Sequence, residues 1–99
     1  MSESTHLPSR LFDVGGKVAL ITGGRRGLGR AMVLGLAEAG VKVAVVARSH
    51  EAEELRAEVE AKKGTLFYLQ AELGDRNQRA GLVDKVIDHF GQLDILVNN

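Results

Sequence analysis

Apolar residues along this chain fall into short runs that are separated by longer amphipathic segments. The runs at residues 17–22, 41–47, 65–69 and 94–97 are continuous or nearly so, and the second is rich in β-branched side chains. Such runs are typical of strands that are buried on both faces of a parallel sheet. The pattern therefore predicts four strands, with a segment of helical length between each strand and the next.

The intervening segments carry the boundary signals of helices. Gly40 lies at the expected C-cap of the first helix, which spans residues 28–39. Ser49 is the predicted N-cap of the second helix and Gly64 its end, while Asp75 is the predicted N-cap of the third. The expected apolar stripes are Leu28, Met32, Gly35, Leu36 and Ala39 in the first helix, Ala52, Leu55 and Val59 in the second, and Leu82, Val83, Val86, Ile87 and Phe90 in the third.

The order β-α-β-α-β-α-β with short connections predicts the fold class. Crossovers between parallel strands are right-handed, so we expect a parallel sheet that is covered by helices on both faces. This is an α/β fold with a Rossmann-type doubly wound sheet, in which the strand order of this portion is expected to be 3-2-1-4.

Composition excludes several classes of function. The chain has 99 residues, of which 44% are hydrophobic and 26% charged, with 13 basic and 13 acidic side chains. This balance gives no electrostatic reason to expect nucleic acid or a membrane surface as a partner. Because the chain has no cysteine, disulfides, thiol catalysis and thiolate metal sites are excluded. His6, His50 and His89 are scattered along the chain, so no metal site is expected.

Gly23, Gly27 and Gly29 occupy the junction between the first predicted strand and the first predicted helix. Ligands of open parallel sheets bind at the carboxyl ends of the strands, and glycines there let the backbone turn tightly and approach a pyrophosphate. The helix that starts at the junction directs unpaired N–H groups at the phosphates. A glycine-rich turn without a ligand is the alternative, and the flanking strand and helix argue against it.

Two related glycine motifs do not fit this junction. The Gly-x-Gly-x-x-Gly fingerprint fails because its third glycine position, counted from Gly27, is Met32. The phosphate-binding loop of kinases and GTPases needs a lysine and then a serine or threonine after Gly29, where this chain has Arg30 and Ala31. A kinase or GTPase function therefore lacks the residues that its chemistry needs.

The end of the second predicted strand indicates which dinucleotide would bind. NAD-selective sites place a carboxylate roughly 20 positions beyond the loop to hold the adenosine ribose, but this chain has Ala47 and Arg48 there. A guanidinium can pair with the 2′-phosphate of NADP, and Arg25 and Arg26 add positive charge beside the same pocket. NADP is therefore the preferred cofactor, and NAD is the alternative if Arg48 lies in solvent or stacks on the adenine.

The chain divides into a leader and part of one domain. Residues 1–11 are polar and lack the apolar run of a signal peptide, so we expect a flexible leader and a cytoplasmic protein. No stretch approaches the roughly 18 apolar residues of a membrane helix. Residues 12–99 are interpreted as the N-terminal part of a single dinucleotide-binding domain. Because Asn98 and Asn99 directly follow an apolar run, this domain is expected to be truncated at its fourth strand.

Two motifs together resemble a known enzyme family. The run 22–29, with the pattern Thr-Gly-x-x-x-Gly-x-Gly, is similar to the cofactor loop of short-chain dehydrogenases/reductases. Asn98 and Asn99 resemble the start of that family's Asn-Asn-Ala-Gly motif, and the resemblance extends from about Phe12 to the last residue. In this family a basic residue after the second strand usually accompanies NADP, and Asn98 is expected to bridge strands as a structural residue.

The resemblance implies further contacts with the cofactor. Glu72 stands where the family most often has an aspartate that meets the adenine amino group, and the backbone N–H of Leu73 would meet the ring. Glu72 is one methylene longer than aspartate, and a solvated carboxylate is the alternative. Asn99 matches an asparagine near the nicotinamide-side ribose. The expected cofactor-binding residues are Thr22, Gly23, Arg25, Arg26, Gly27, Leu28, Gly29, Arg48, Glu72, Leu73 and Asn99.

The family's catalytic residues are a serine and a Tyr-x-x-x-Lys pair, in which the tyrosine acts as general acid or base. The only tyrosine of this chain is Tyr68, and Glu72 stands four residues later in place of lysine. Tyr68 is therefore expected to be a core or sheet residue, and no catalytic residue is assigned. The resemblance places the catalytic residues, the substrate pocket and the contacts of a homodimer or homotetramer beyond Asn99.

The function implied is that of an NADP- or NAD-dependent oxidoreductase that transfers a hydride between the nicotinamide and an alcohol or ketone. Residues 11–13 and 47–49 are similar to sugar-acid dehydrogenases of the 2-deoxy-D-gluconate 3-dehydrogenase and gluconate 5-dehydrogenase types. A 3-oxoacyl-carrier-protein reductase is the enzymatic alternative, and a non-catalytic dinucleotide-sensing module is the alternative from another class. A methyltransferase would need an acid at the end of the second strand, where Ala47 stands.

Overall fold

A computed structural model of the chain describes residues 14–23, 27–48, 52–71 and 76–98. Its helices and strands follow the predicted order, and each observed strand end lies within one residue of its predicted position. The elements are β1 at Val18–Thr22, α1 at Gly27–Glu38, β2 at Lys42–Ala47, α2 at Glu53–Ala61, β3 at Thr65–Gln70, α3 at Arg76–Phe90 and β4 at Ile95–Asn98.

The four strands form one parallel sheet in the order β3-β2-β1-β4, which confirms the predicted fold class and strand order. β1 pairs with two strands, so that Leu20 faces Ala44 of β2 on one side and Leu96 of β4 on the other. β2 continues the sheet to β3, where Ala44 faces Phe67. Because all strands run in the same direction, their carboxyl ends lie at one edge of the sheet.

Two apolar cores lie on opposite faces of the sheet, because successive side chains of a strand point to opposite faces. On one face, Ala19 and Ile21 of β1 pack with alternate residues of β2 against α1 and α2. On the other face, Val18 and Leu20 pack against α3. All residues of β1 are buried, so this strand is covered on both faces, as its continuous apolar pattern predicts.

The predicted apolar stripe of α1 is only partly correct, because Met32 and Leu36 pack against the core but the fully buried residues lie beside them. Apolar side chains occur on several sides of this helix, so periodicity alone does not decide which side faces the sheet. Packing selects the side with the smaller residues, which lets the helix approach the sheet closely. The buried residues are Gly29, Val33 and Ala37, while the predicted Met32 and Leu36 are half-buried and the predicted Leu28, Gly35 and Ala39 are exposed.

The apolar stripe of α2 is confirmed, since all of its predicted residues are buried. Its predicted N-cap is wrong, because Ala52 occupies that position without a side-chain hydrogen bond. Glu53 and Glu54 lie in the first turn, where their charges interact favourably with the helix dipole and can replace a capping side chain. Ser49 and Asp75, the two predicted caps, lie outside the described residues.

The stripe of α3 is only partly as predicted. Leu82 and Val86 are buried and Phe90 is half-buried, in agreement with the prediction, whereas Val83 is 37% and Ile87 is 40% exposed. Val83 and Ile87 each follow a buried residue in the sequence, and this places them about 100° further around the helix. The face of α3 that contacts the sheet is therefore narrower than its apolar pattern.

α1 and α2 each end at a residue with a left-handed backbone, but only α1 uses a glycine there. Gly40 follows α1 with a φ of 91°, which confirms it as the residue that closes this helix. After α2 the left-handed residue is Lys63, with a φ of 59°. The next residue is Gly64, whose N–H donates to the Val59 carbonyl at 2.9 Å, in agreement with its predicted place at the end of this helix. A Cβ atom on Gly64 would lie 2.9 Å from the Cβ of Ala37. Gly64 is therefore required by the close approach of α1.

A hydrogen-bonded clasp, formed by Gln92 and Asp94, joins β1 and β4 at their amino ends. The Asp94 N–H donates to the Val18 carbonyl at 2.9 Å, and the Val18 N–H donates to Asp94 Oδ2 at 2.8 Å. The Gln92 amide donates to the same oxygen at 2.7 Å and to the Gly16 carbonyl at 3.2 Å. The hydrogen bonds from Val18 and Gln92, with the charge of Lys17, lower the pKa of Asp94 against the opposing effect of desolvation.

We predict that Asp94→Asn lowers the free energy of unfolding at neutral pH and that this loss disappears in acid. A carboxyl group whose pKa is lowered by folding stabilises the protein above its ordinary pKa and loses that contribution as the pH falls through the lowered value. Urea denaturation of both proteins at steps from about pH 7 to about pH 2 measures the difference. A difference that stays constant over this range would contradict a role for the charge.

Helix α3 offers a matched pair of valines, because Val86 is 0% and Val83 is 37% exposed. Val86→Ala is expected to lower the free energy of unfolding by about 2 kcal/mol, since it removes buried methyl groups and leaves a cavity. Val83→Ala should cost less than about half as much. Equal losses in urea denaturation would mean that α3 packs on the sheet through a different face.

Candidate functional site

The carboxyl edge of the sheet collects most of the described residues that the sequence indicates as a site. β1 ends at Thr22 and is followed by Gly23, while Arg48 directly follows β2. Residues 27–29 form the first turn of α1, which starts from the same edge. The other predicted cofactor-binding residues lie outside the described part of the chain, and they are Arg25, Arg26, Glu72, Leu73 and Asn99.

The turn between β1 and α1 is flanked by glycines with a left-handed backbone. The φ angle is 67° at Gly23 and 58° at Gly27, a region that residues with a side chain rarely adopt. The Gly23 N–H donates to the Val46 carbonyl of β2 at 3.0 Å, which fixes the start of the turn to the neighbouring strand. A Cβ atom at Gly27 would meet nothing within 4 Å. Glycine is thus required there by backbone conformation, and not by contact with another described residue.

The first turn of α1 provides a suitable environment for an anion. The first N–H groups of a helix have no partner within the helix, and the aligned peptide dipoles place a partial positive charge at this end. The first turn of α1 contains no acidic residue, so nothing in this turn opposes that charge. Gly29 is buried against the sheet, while the Leu28 side chain is 72% exposed. Phosphate groups bind readily at helix ends of this kind.

A side-chain hydrogen bond joins the carboxyl ends of β1 and β4. The Thr22 hydroxyl donates to Asn98 Oδ1 at 3.0 Å, and the two residues are register partners in the sheet. Thr22 is 9% exposed whereas Asn98 is exposed, so the bond is partly buried. It confirms that Asn98 bridges strands, and it connects the residue before the glycine turn to the last described residue of β4.

Sequence reasoning missed Gln70, the last residue of β3. Its side-chain amide donates to the carbonyl oxygen of Arg48 at 3.1 Å, at the point where the chain leaves β2. The only signal in the sequence is a polar residue at the end of an apolar run, and this does not reveal a partner on another strand. Gln70 is therefore a further polar residue at the edge that carries the candidate site.

Sequence reasoning also missed the ion pairs between α1 and α2. Arg30 Nη2 lies 3.1 Å from Glu54 Oε1 and also pairs with Glu58. Near the other end of the two helices, Lys62 Nζ lies 3.1 Å from Glu38 Oε2. Such exposed pairs contribute at most about 1 kcal/mol each. Their consequence for the site is that two carboxylates of α2 partly neutralise the charge of Arg30 near the glycine turn.

Other kinds of site find no support within the described ranges. There, no group of three or more histidine, aspartate or glutamate side chains is arranged to hold a metal ion. The described helices also include none that is long and apolar enough to cross a membrane. Tyr68 is half-buried in β3 and packs against the core beneath α1 and α2, which confirms it as a residue of the sheet.

A parallel sheet in the order 3-2-1-4, with helices on both faces and a glycine turn after its first strand, defines the class of Rossmann-type α/β domains. Within this class, the family model of the short chain dehydrogenases matches residues 17–99. The match extends over most of the chain, and the chain belongs to the short-chain dehydrogenase family.

Individual relatives agree with this assignment. The chain is 41% identical over 85 residues to a 3-oxoacyl-(acyl-carrier-protein) reductase of Staphylococcus aureus, which covers 84% of the chain and 35% of the relative. It is 44% identical over 88 residues to a 2-dehydro-3-deoxy-D-gluconate 5-dehydrogenase of Dickeya dadantii, with coverages of 89% and 34%. The chain therefore spans about a third of the length of the curated relatives that it matches.

A solved structure shows the same arrangement of elements. A short-chain type dehydrogenase/reductase from Mycobacterium marinum superposes with a TM-score of 0.84 at 35% sequence identity. The superposition covers 88% of this chain and 36% of that one. This chain therefore corresponds to about a third of the solved protein, as it does of the relatives that were compared by sequence.

The bond between Thr22 and Asn98 can be tested with a double-mutant cycle. We predict that Thr22→Val, which replaces the hydroxyl by a methyl group, lowers the free energy of unfolding by about 1 kcal/mol. In an Asn98→Ala background the same substitution should cost clearly less, because the bond is already absent. Urea denaturation of the four proteins gives the coupling energy. Strictly additive losses would show that the two side chains do not interact.

Proposed function

We propose that this chain is the dinucleotide-binding part of an oxidoreductase that transfers a hydride between a nicotinamide cofactor and an alcohol or ketone. The glycine turn after β1 carries this proposal, since it combines left-handed glycines, an anchor on β2 and a helix start without acidic residues. A pyrophosphate is the ligand that suits this combination. Membership of the short-chain dehydrogenase family supports a nicotinamide on that pyrophosphate and an oxidoreductase as the whole protein.

The proposed cofactor-binding residues extend from the glycine turn along the carboxyl edge. In this proposal residues 22–29 hold the pyrophosphate, Glu72 and Leu73 contact the adenine, and Asn99 lies near the nicotinamide-side ribose. The nicotinamide, when bound, donates or accepts the hydride, and the residues of this chain bind and orient it. The family's serine, tyrosine and lysine are expected outside the chain, so no proton transfer is assigned to a residue named here.

We favour NADP as the cofactor and keep NAD as the alternative. Arg48 is exposed directly after β2, where a planar guanidinium could form paired, charge-assisted hydrogen bonds with a 2′-phosphate. β2 itself ends with Ala47, so its last side chain has no charge to repel that phosphate. Arg25 and Arg26 would add positive charge beside it.

Two substrate classes are supported by relatives. The name of the Dickeya dadantii relative indicates a sugar acid, and that of the Staphylococcus aureus relative a 3-oxoacyl group on a carrier protein. The sugar acid is our leading proposal, because residues 11–13 and 47–49 also resemble sugar-acid dehydrogenases.

The two substrate classes can be distinguished by the oxidation of NADPH. The full-length protein is assayed with keto sugar acids and, separately, with 3-oxoacyl thioesters. Cofactor binding without turnover on either would favour a sensing module.

The proposal also includes an oligomeric state and a cellular location for the full-length protein. Members of the family commonly form homo-oligomers, and we propose a homodimer or homotetramer for the full-length protein. The proposed location is the cytoplasm, where nicotinamide dinucleotides are available. Size-exclusion chromatography with light scattering tests the proposed assembly.

We predict that Arg48→Ala weakens the binding of NADPH to the full-length protein by about tenfold and changes the affinity for NADH by less than about twofold. The physical reason is that only NADPH carries the 2′-phosphate. Lys42→Ala is the matched control, since it removes a positive charge from the exposed amino end of the same strand. Titrations that follow the fluorescence of the reduced nicotinamide measure all affinities. Equal losses for both cofactors, or a wild-type preference for NADH, would contradict the assignment.

A further inference from the structure

The end of β2 departs from the regular hydrogen-bonding pattern of the sheet. The Val46 carbonyl accepts a hydrogen bond from Gly23, on the side of β1, and the next carbonyl, that of Ala47, accepts one from Ala71, on the side of β3. Continued alternation would direct the carbonyl of Arg48 back toward β1. Instead, this carbonyl accepts its hydrogen bond from the side chain of Gln70, at 3.1 Å, on the side of β3.

The chain therefore leaves the extended conformation of β2 at Arg48. The side-chain amide of Gln70 donates to the carbonyl of this first residue after the strand. Gln70 is well placed for this contact, because it is the last residue of β3 and the register partner of Ala47. Its backbone position is fixed by the sheet, so only its side-chain torsions have to be ordered to reach the carbonyl. By fixing the backbone carbonyl of Arg48, Gln70 also restricts the directions in which the Arg48 side chain can extend.

We propose that Gln70 is a positioning residue that orients Arg48 toward the 2′-phosphate of NADP and so contributes to the choice between NADP and NAD. This inference rests on the proposed function, in which Arg48 binds that phosphate. Gln70 does not contact the cofactor in this proposal. It acts by holding the Arg48 backbone, which limits the region that the guanidinium can reach before the phosphate arrives, so less conformational entropy is lost on binding.

The test uses two ligands that contain only the adenosine end of the cofactors. Adenosine 2′,5′-bisphosphate carries the 2′-phosphate and adenosine 5′-phosphate lacks it, so the ratio of their affinities measures recognition of that group alone. Gln70→Met removes the amide donor while keeping the length of the side chain. In the full-length protein it is expected to lower the affinity ratio by about fivefold, the effect of one hydrogen bond, with little change for the monophosphate.

Two controls separate positioning from a general structural role. Gln92→Met also removes a side-chain amide that donates to a backbone carbonyl, but at the opposite edge of the sheet, and it should leave the affinity ratio unchanged. In an Arg48→Ala background, Gln70→Met should produce no further fall in the ratio, because Gln70 acts through Arg48. Isothermal titration calorimetry on the set of variants supplies the affinities.

The outcomes distinguish this inference from the proposal on which it rests. If the wild-type protein binds neither ligand, the dinucleotide site itself is wrong, and the role of Gln70 falls with it. Equal wild-type affinity for the two ligands would remove the role of Arg48 and also that of Gln70. If the wild type prefers the bisphosphate but Gln70→Met weakens both ligands equally, or lowers the ratio further without Arg48, only the inference about Gln70 is overturned.

Discussion

The pairing of β1 with both β2 and β4 is the interaction on which the rest of the structure depends. β1 contributes side chains to both cores, so its polar backbone groups have to be satisfied by the neighbouring strands. Its two ends are held by side chains as well, with Asp94 at Val18 and Asn98 at Thr22. A chain that leaves such a buried strand has to turn at once if its helix is to cover the face of the sheet. Left-handed glycines on both sides of the turn make this possible.

The sequence was sufficient for the fold because strand runs and connection lengths constrain a parallel sheet strongly. It was insufficient for the orientation of α1, since apolar residues on several sides of that helix make its periodicity ambiguous. Gly64 shows a related difficulty. Its place at the end of α2 was predictable, but the tightest contact of an added Cβ atom is with the Ala37 methyl group of α1, and Val59 of α2 also lies close. Contacts between elements that are distant in sequence leave no local pattern.

The same distinction applies to the candidate site. The spacing of Gly23, Gly27 and Gly29 is local, and the sequence identified it. The bridging role of Asn98 was predicted from a family motif, and its bond with Thr22 agrees with that prediction. The contact of Gln70 with Arg48 and the pairs of Arg30 with α2 were not predicted, because each depends on how two elements lie against each other. Contacts between polar side chains of separate elements were therefore the part of the site that sequence reasoning revealed least.

The two edges of the sheet use different chemistry, and this difference supports the placement of a phosphate-containing ligand. At the amino edge a carboxylate, Asp94, holds β1 and β4 together, and its pKa is lowered by the contacts that it makes. At the carboxyl edge the described strands end on Thr22, Ala47, Gln70 and Asn98, which are all uncharged. A carboxylate that joined the ends of β1 and β4 there would lie directly beside the glycine turn, where it would repel a pyrophosphate at close range. Neutral hydroxyl and amide groups hold the strand ends without that repulsion, so the edge can be both stable and suited to an anionic ligand.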